Sequence, residues 1–426
     1  MANEGLVVGL DIGTTKVCAV IGERNEQGIP EITGVGVSPS TGLRKGVVVN
    51  IEATLKASAA AIESAEMMSG REVHECWTGI GGSHIDGINS RGVVAITGKK
   101  RESGKKRNTR EIGPDDIARV IEAARAVVIP MDRRILEVIP QTYTVDDQKG
   151  IRDPLDMIGV RLEAEVHIIT CSVTSAQNLI KCVNRAGFRV NDLVLHSLAA
   201  GRSVLTGEEK DLGVALVDLG GGTTDLLVYN EGAPYSTSTI PAGGVQVTSD
   251  ISIIKNISFD TAEKIKIEAG CCWEAMLEGD EDIIVPGVGG RSPMSIPRSQ
   301  IFTIIRPRME EIFRMVKEKL DKLRFSRPLG GGVVLTGGGA QLQGVVDLAS
   351  SMLELPARIG NPIRGASLGG LVEEYCNPAY ATAIGLMLEG GDRESRADPE
   401  GAAGSPEKEQ SNLFSKLGRF LRDEFF

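Results

Sequence analysis

One pattern occurs twice in this chain, and it limits the possible folds more than any other feature. Near the start, Val7-Val8-Gly9-Leu10-Asp11-Ile12-Gly13-Thr14-Thr15-Lys16-Val17-Cys18-Ala19-Val20 reads as apolar strand, glycine-threonine turn, apolar strand. Midway, Ala215-Leu216-Val217-Asp218-Leu219-Gly220-Gly221-Gly222-Thr223-Thr224-Asp225-Leu226-Leu227-Val228 repeats it, with Asp11 matched by Asp218 and Gly13 by Gly220. Apolar β-rich runs flanking a glycine turn specify a hairpin. Both hairpins continue through a turn rich in Asn and Gly, at residues 25–28 and 230–233, into a third short strand. Each then reaches a helical stretch, residues 51–68 and 246–269. Two βββα units in tandem predict a duplicated α/β fold of two lobes with a cleft between them.

The turns carry the chemistry. A nucleoside triphosphate needs backbone N–H donors near its oxygens, and a tight Gly-Thr turn supplies them because glycine lets the backbone approach. Gly13-Thr14-Thr15-Lys16 and Gly220-Gly221-Gly222-Thr223-Thr224 can therefore clasp the β- and γ-phosphates from opposite walls. Asp11 and Asp218, each just before its turn, then lie near Mg2+ and its waters, a hard cation suited to carboxylates. A third strand ends in Gly337-Gly338-Gly339 ahead of a helix at residues 342–353, which allows an adenosine to pack flat on backbone. One glycine-rich turn is ordinarily structural; three in this order, two with a matched Asp, point to ATP and Mg2+. The nearest phosphate-loop alternative, Gly98-Lys99-Lys100, lacks the Ser or Thr that must follow.

Composition excludes other classes. A formal charge of −10 and a pI near 5.2 argue against nucleic acid as the main partner. The seven cysteines are scattered without a CxxC, so they read as reduced thiols, Cys271-Cys272 included as an inert pair. The four histidines are too far apart for a local metal motif. The start carries no signal-like segment, and no apolar run approaches the ~20 residues of a membrane span, so a cytosolic protein is expected.

Residues 83–163 have no echo in the second half and read as an inserted subdomain, with a strand at 92–97, a helix from 114 to 127 and a strand at 134–139. Its basic loop, residues 99–107, reads as a solvated hairpin tip. The first lobe core is expected at 1–82, 164–199 and 367–389, the second at 200–240 and 327–366, and a helical subdomain at 241–326 that ends in an amphipathic stretch over 301–324. Residues 390–411, rich in Gly, Ala, Ser, Pro and charge, read as a flexible linker with a reach of roughly 25 Å. Beyond it, Asn412 caps a helix over 412–426 in which Leu413, Phe414, Leu417, Phe420, Leu421 and Phe425 form one face beside Lys416, Arg419 and Arg422. The aromatic and cationic mixture after a spacer favours an interfacial membrane helix over one docked on the body. Linking many such weak helices on a polymer would give strong attachment.

This order of segments is similar to the actin, Hsp70 and sugar-kinase superfamily, a ribonuclease H-like fold. The whole chain to Gly390, and again its end, resembles the FtsA family of bacterial cell-division proteins. The likeness runs through the 9–17 turn, Val247-Thr248-Ser249-Asp250-Ile251, Ile305-Arg306-Pro307-Arg308 and Tyr380-Ala381-Thr382-Ala383-Ile384-Gly385-Leu386. The resemblance implies that Glu263 and Lys266, which share a helix face at i and i+3, touch ribose and base. It also implies that the insert serves polymer and partner contacts, and that the protein assembles into filaments on the cytoplasmic face of the membrane, tethers the FtsZ ring and recruits other division proteins. A helix bearing Arg306, Arg308 and Arg314 is the expected seat of the FtsZ C-terminal tail, or else a solvated cationic face. Where related ATPases place a Gln or Glu to orient water, this chain has His196, which either does that work or packs in the core or an interface. Slow hydrolysis at most is expected, with ATP acting mainly as a structural ligand. Two alternatives share the fold: a pilus-assembly adaptor like PilM and a small-molecule kinase.

Overall fold

The computed structural model describes residues 5–25, 30–96, 110–277, 281–285, 293–323, 328–362, 368–370 and 375–397. Both hairpins form. Leu6–Ile12 pairs antiparallel with Lys16–Arg24, and Val214–Leu219 with Thr224–Asn230, each followed by an antiparallel third strand, Pro30–Pro39 and Ala233–Ile240. On its other side each lead strand meets a parallel partner, Glu75–Ile80 in the first lobe and Val333–Thr336 in the second. Outer strands Arg189–Leu195 and Ala357–Ile359 flank these partners, and Gly369–Gly370 adds a sixth strand to the first sheet beside Pro30–Pro39. The duplication therefore extends to strand order, and Asp11 and Asp218 lie at matching places near the end of the lead strands.

Strands buried on both faces explain the continuous apolar runs. In the first lobe, Leu10, Val17 and Ala19 pack with Ala57, Ala61 and Ile62 of the helix Ile51–Ser69, which Asn50 caps at its N-terminus. The opposite face, with Val7, Cys18 and Val20, packs with Ala383, Ile384 and Met387 of the helix Ala381–Ala397. That helix packs against His196–Val204, and the two form the crossings between lobes; the expected boundary at 199 falls inside the second of them.

The insert is an antiparallel sheet of Asp86–Ala95, Arg161–Ser172, Arg133–Val145 and Gln148–Ile151, covered by the helix Pro114–Arg125. Ile117, Val120 and Ile121 pack there with Tyr143, Leu162 and Ile168. Its expected end at 163 is too early. Strand Arg161–Ser172 keeps its insert partners to Ser172 while Ile169 and Cys171 already belong to the first-lobe core, so one strand joins both.

Two further expectations are corrected. Residues 246–269 are two helices, Gly244–Lys255 and Phe259–Ala269, because Asn256 adopts a left-handed φ of 53° and Ser258 caps the next helix. The linker does not begin at 390: the helix Ala381–Ala397 continues through it. Gly390 lies against the Trp77 indole, and Arg393 is held by Glu137 at 3.0 Å, Asp192 at 2.8 Å and Glu389 at 2.8 Å. Asp392, Arg393 and Glu394, charges that suggested a solvated coil, each find a partner distant in sequence. The basic loop at 99–107, the rest of the expected linker at 398–411 and the expected terminal helix at 412–426 lie outside the described residues. Among the described residues no helix is long and apolar enough to cross a membrane.

Candidate nucleotide cleft

The two hairpin turns meet across a cleft of about 480 Å³ between the lobes. Asp11, Gly13, Thr14, Thr15 and Lys16 line one wall, and Asp218, Gly220, Gly221, Gly222 and Thr223 the other. The approach is close: a Cβ on Gly221 would fall 2.6 Å from Thr15 Cγ2, and one on Gly222 2.6 Å from Thr14 Oγ1. The Gly13 N–H donates to Lys16 O at 2.9 Å, closing the first turn. Gly244 and Val245 N–H groups donate to Gly220 and Gly221 carbonyls at 2.9 and 2.8 Å, docking the start of Gly244–Lys255 on the second turn.

Three carboxylates face one another here. Burial pushes the Asp218 carboxyl up to about 7, and the nearby charges of Asp225 and Asp11 add to the effect. Burial also raises Asp225, which stays anchored by Thr239 Oγ1 donating at 2.5 Å and Thr223 Oγ1 at 3.3 Å. Thr382 Oγ1, from the helix Ala381–Ala397, donates to Asp218 Oδ2 at 3.3 Å. His196 Nε2 is buried without a hydrogen-bond partner, 3.4 Å from Asp11 Oδ1. Crowded carboxylates, with Asp218 and Asp225 pushed up, and an orphaned ring nitrogen suit a cation with its water shell. Among the described residues no cluster of three ligating side chains is close enough to hold a metal directly.

The far end of the cleft is apolar, with Val247, Met309, Ile312 and Leu342 around the Gly337–Gly339 turn. Gly337 has a φ of 80°, and any Cβ there would strike Asp218 Oδ1. Glu263 and Lys266 also line the cleft and pair at 2.8 Å, with Thr248 Oγ1 bonded to both and Lys266 Nζ donating to Gly244 O at 3.3 Å.

The structure thus brings nearly every sequence-predicted cleft residue to one place. Thr224 is the exception: it is buried and donates to Ala242 O at 2.9 Å, a structural bond to the segment that follows strand Ala233–Ile240. Lys16 reaches the cleft, yet its Nζ donates to Ala379 O at 2.5 Å and sits 4.3 Å above the Tyr380 ring. Arg306, Arg308 and Arg314 lie outside the cleft on Arg298–Asp321, where Arg308 is bound by Asp250 at 2.7 Å and by Glu311, Arg306 by Glu310 at 2.8 Å, while Arg314 is exposed. Cys271 and Cys272 are both buried, and burial raises both thiols. Sequence reasoning missed Asp225, Thr382, Met309 and Ile312. Asp225 carried a signal, since it stands seven places after Asp218; the apolar pair had none to separate it from core.

Comparison with known proteins settles the family. The pattern described as "Cell division protein FtsA" matches residues 215–385, and "SHS2 domain inserted in FTSA" matches 82–170. The Cell division protein FtsA of Borreliella burgdorferi is 44% identical over 425 residues, covering 99% of this chain and 100% of that one. The chain belongs to the FtsA family of cell division proteins. Its FtsA relative in Pseudomonas aeruginosa is 41% identical, covering 99% of this chain and 98% of that one, and the one in Escherichia coli K12 is 38% identical with the same coverage. Among solved structures, the PilM-PilN type IV pilus biogenesis complex superposes with a TM-score of 0.61 at 18% identity, over 90% of this chain and 98% of that one. MreB 5 of Spiroplasma citri bound to AMPPNP gives 0.56 at 14%, over 94% and 100%. At such identities these two establish the actin-like fold alone. The insert matched at 82–170 agrees with the long shared strand and not with an end at 163.

Proposed function

We propose that the cleft binds ATP with Mg2+, and that loaded copies assemble on the cytoplasmic face of the membrane and tether the FtsZ ring to it. One observation carries the nucleotide reading: paired Asp-bearing turns, Asp11's and Asp218's, face each other across a cleft lined by glycine backbone. Thr14, Thr15 and Thr223 would hold phosphate oxygens, Gly337–Gly339 would floor the adenosine, and Glu263 and Lys266 would meet ribose and base. Asp11 and Asp218 would hold Mg2+ through its waters. Bound there, the ion neutralises phosphate charge. His196 Nε2, unpartnered beside Asp11, would orient a water molecule, and an imidazole in place of a carboxamide or carboxylate supports slow turnover only.

Two further parts rest on sequence. The segment from Asn412 onward would lie in the membrane interface through Leu413, Phe414, Leu417, Phe420, Leu421 and Phe425. The FtsZ tail would dock on Arg298–Asp321; with Arg306 and Arg308 already paired, the exposed Arg314 is the cation to engage it. Titration calorimetry with ATP and Mg2+ tests the cleft, and no heat of binding from folded protein refutes it. Liposome flotation with and without residues 412–426 tests the tether; equal flotation of both forms refutes it.

A further inference from the structure

The insert belongs to the first lobe by chain and by core, since strand Arg161–Ser172 feeds Ile169 and Cys171 into that lobe. Yet it also grips the second lobe. Strand Ala233–Ile240 is the edge of the second-lobe sheet, and its register skips Tyr235 in a bulge. Asn89 Nδ2 donates to Tyr235 O at 3.1 Å, and Gln141 Nε2 donates to Pro234 O at 2.9 Å and Tyr235 O at 3.3 Å. His167, 1% exposed, completes the contact. Because the Asn89 amide presents its NH2 to Tyr235 O, its Oδ1 must accept from His167 Nδ1–H at 2.6 Å. Nε2 is then the acceptor for Thr237 Oγ1–H at 3.0 Å. Burial pushes His167 down to about 4, so the ring stays neutral and keeps this single tautomer.

The same strand runs into the cleft. Thr239 shares a strand face with Thr237, two places away, and donates to Asp225 Oδ1. The strand then passes Gly243 and Gly244, which line the cleft. The contact is made by polar side chains beside a cavity of about 350 Å³ flanked by Lys322 and Leu323, so water can replace its hydrogen bonds at little net cost when it opens. The strand thus connects the cleft to the insert, and a contact that can open and close gives it the two arrangements that coupling requires.

We infer that Asn89, Gln141 and His167 form a releasable clasp on Ala233–Ile240 through which the nucleotide state of the cleft sets whether the insert is held against the second lobe. The inference rests on the nucleotide reading above and adds what that binding does. Amide hydrogen exchange on the full chain, with and without ATP and Mg2+, tests it. Without nucleotide, the N89A/Q141A variant should exchange roughly fivefold or more faster than the unaltered chain in Ala233–Ile240 and Asp86–Ala95. T237V, cut from the other side, should do the same. Unchanged rates in both variants overturn the clasp. With nucleotide, the unaltered chain should change its exchange in the cleft turns and in Asp86–Ala95, and the variants in the cleft turns alone. A cleft response with no insert response in the unaltered chain overturns the coupling, as does an insert response undiminished in the variants. Absence of any cleft response refutes the nucleotide reading and the coupling with it, leaving the clasp to the nucleotide-free rates.

Discussion

Laid over each other, the two hairpins agree in backbone and differ in charge. Asp11 and Asp218 coincide, but seven places on, the first hairpin has Cys18 and the second Asp225. The ladder positions match too: Asp11 pairs with Cys18, which pairs with Val37, and Asp218 with Asp225, which pairs with Thr239. Where the second turn offers Thr223 to its buried carboxylate, the first has Lys16, which turns away to Ala379 and Tyr380. One lobe carries an inert thiol, pushed up to about 12 by burial, on a scaffold that in the other lobe carries a second acid with dedicated donors. Duplication fixed the geometry of the grip, and two ladder positions and one turn position then divided the labour within it.

The harshest way to break this comparison is to make the hairpins equal. Cys18→Asp would bury a carboxylate beside Asp11 with Val37 in place of a donor, and should destabilise the fold by about 3–5 kcal/mol. Urea unfolding measures it, and a loss below about 1 kcal/mol would mean the donors at Asp225 matter little. Asp218→Asn keeps shape and removes charge; affinity for ATP with Mg2+ should fall about 10- to 100-fold by calorimetry, with a far smaller loss for nucleotide without Mg2+. Equal losses with and without the ion would assign Asp218 to the nucleotide itself.

Acid sharpens the contrast further. The Asp218 carboxyl rises from 3.8 in the unfolded chain to about 7 in the folded one, so its protonated form favours the native state. That contribution is complete below pH 3.8 and is lost as pH rises through 7. Binding of the cation needs the ionised form, so affinity should move the other way and fall up to about tenfold from pH 7 to pH 6. Melting curves of the empty protein and calorimetry across this range should show opposite slopes; a common sign would refute the assignment. The mildest change is Lys16→Met, which removes the contact with Tyr380 and Ala379 and should cost about 1 kcal/mol of stability, a few degrees at most in a thermal melt.

The duplicated hairpins were legible because strand alternation, a matched Asp and glycine turns are local signals. Helical spacing put Glu263 and Lys266 on one face, but only the family resemblance gave that face a ligand. Thr239 was not, since its bond to Asp225 depends on the register of a third strand with a bulge that no local pattern announces. The run after Gly390 misled for a related reason: glycine and charge look like a coil until Trp77, Asp192 and Glu137 arrive from elsewhere in the chain. The break at Asn256 hid in a sequence whose helical periodicity carries on across it. His167 escaped notice because its partners Asn89 and Thr237 come from two different lobes.

The Arg393 knot fixes where mechanical tension on the C-terminal end enters the body. A pull at Ala397 is handed through Arg393 to Asp192 and Glu137, and through Glu394 to the Trp77 indole at 2.9 Å, on three separate strands at once. Two of these strands, Glu75–Ile80 and Arg189–Leu195, are parallel neighbours in the first-lobe sheet and the third belongs to the insert, so a load entering here is spread over two sheets instead of peeling one strand from an edge.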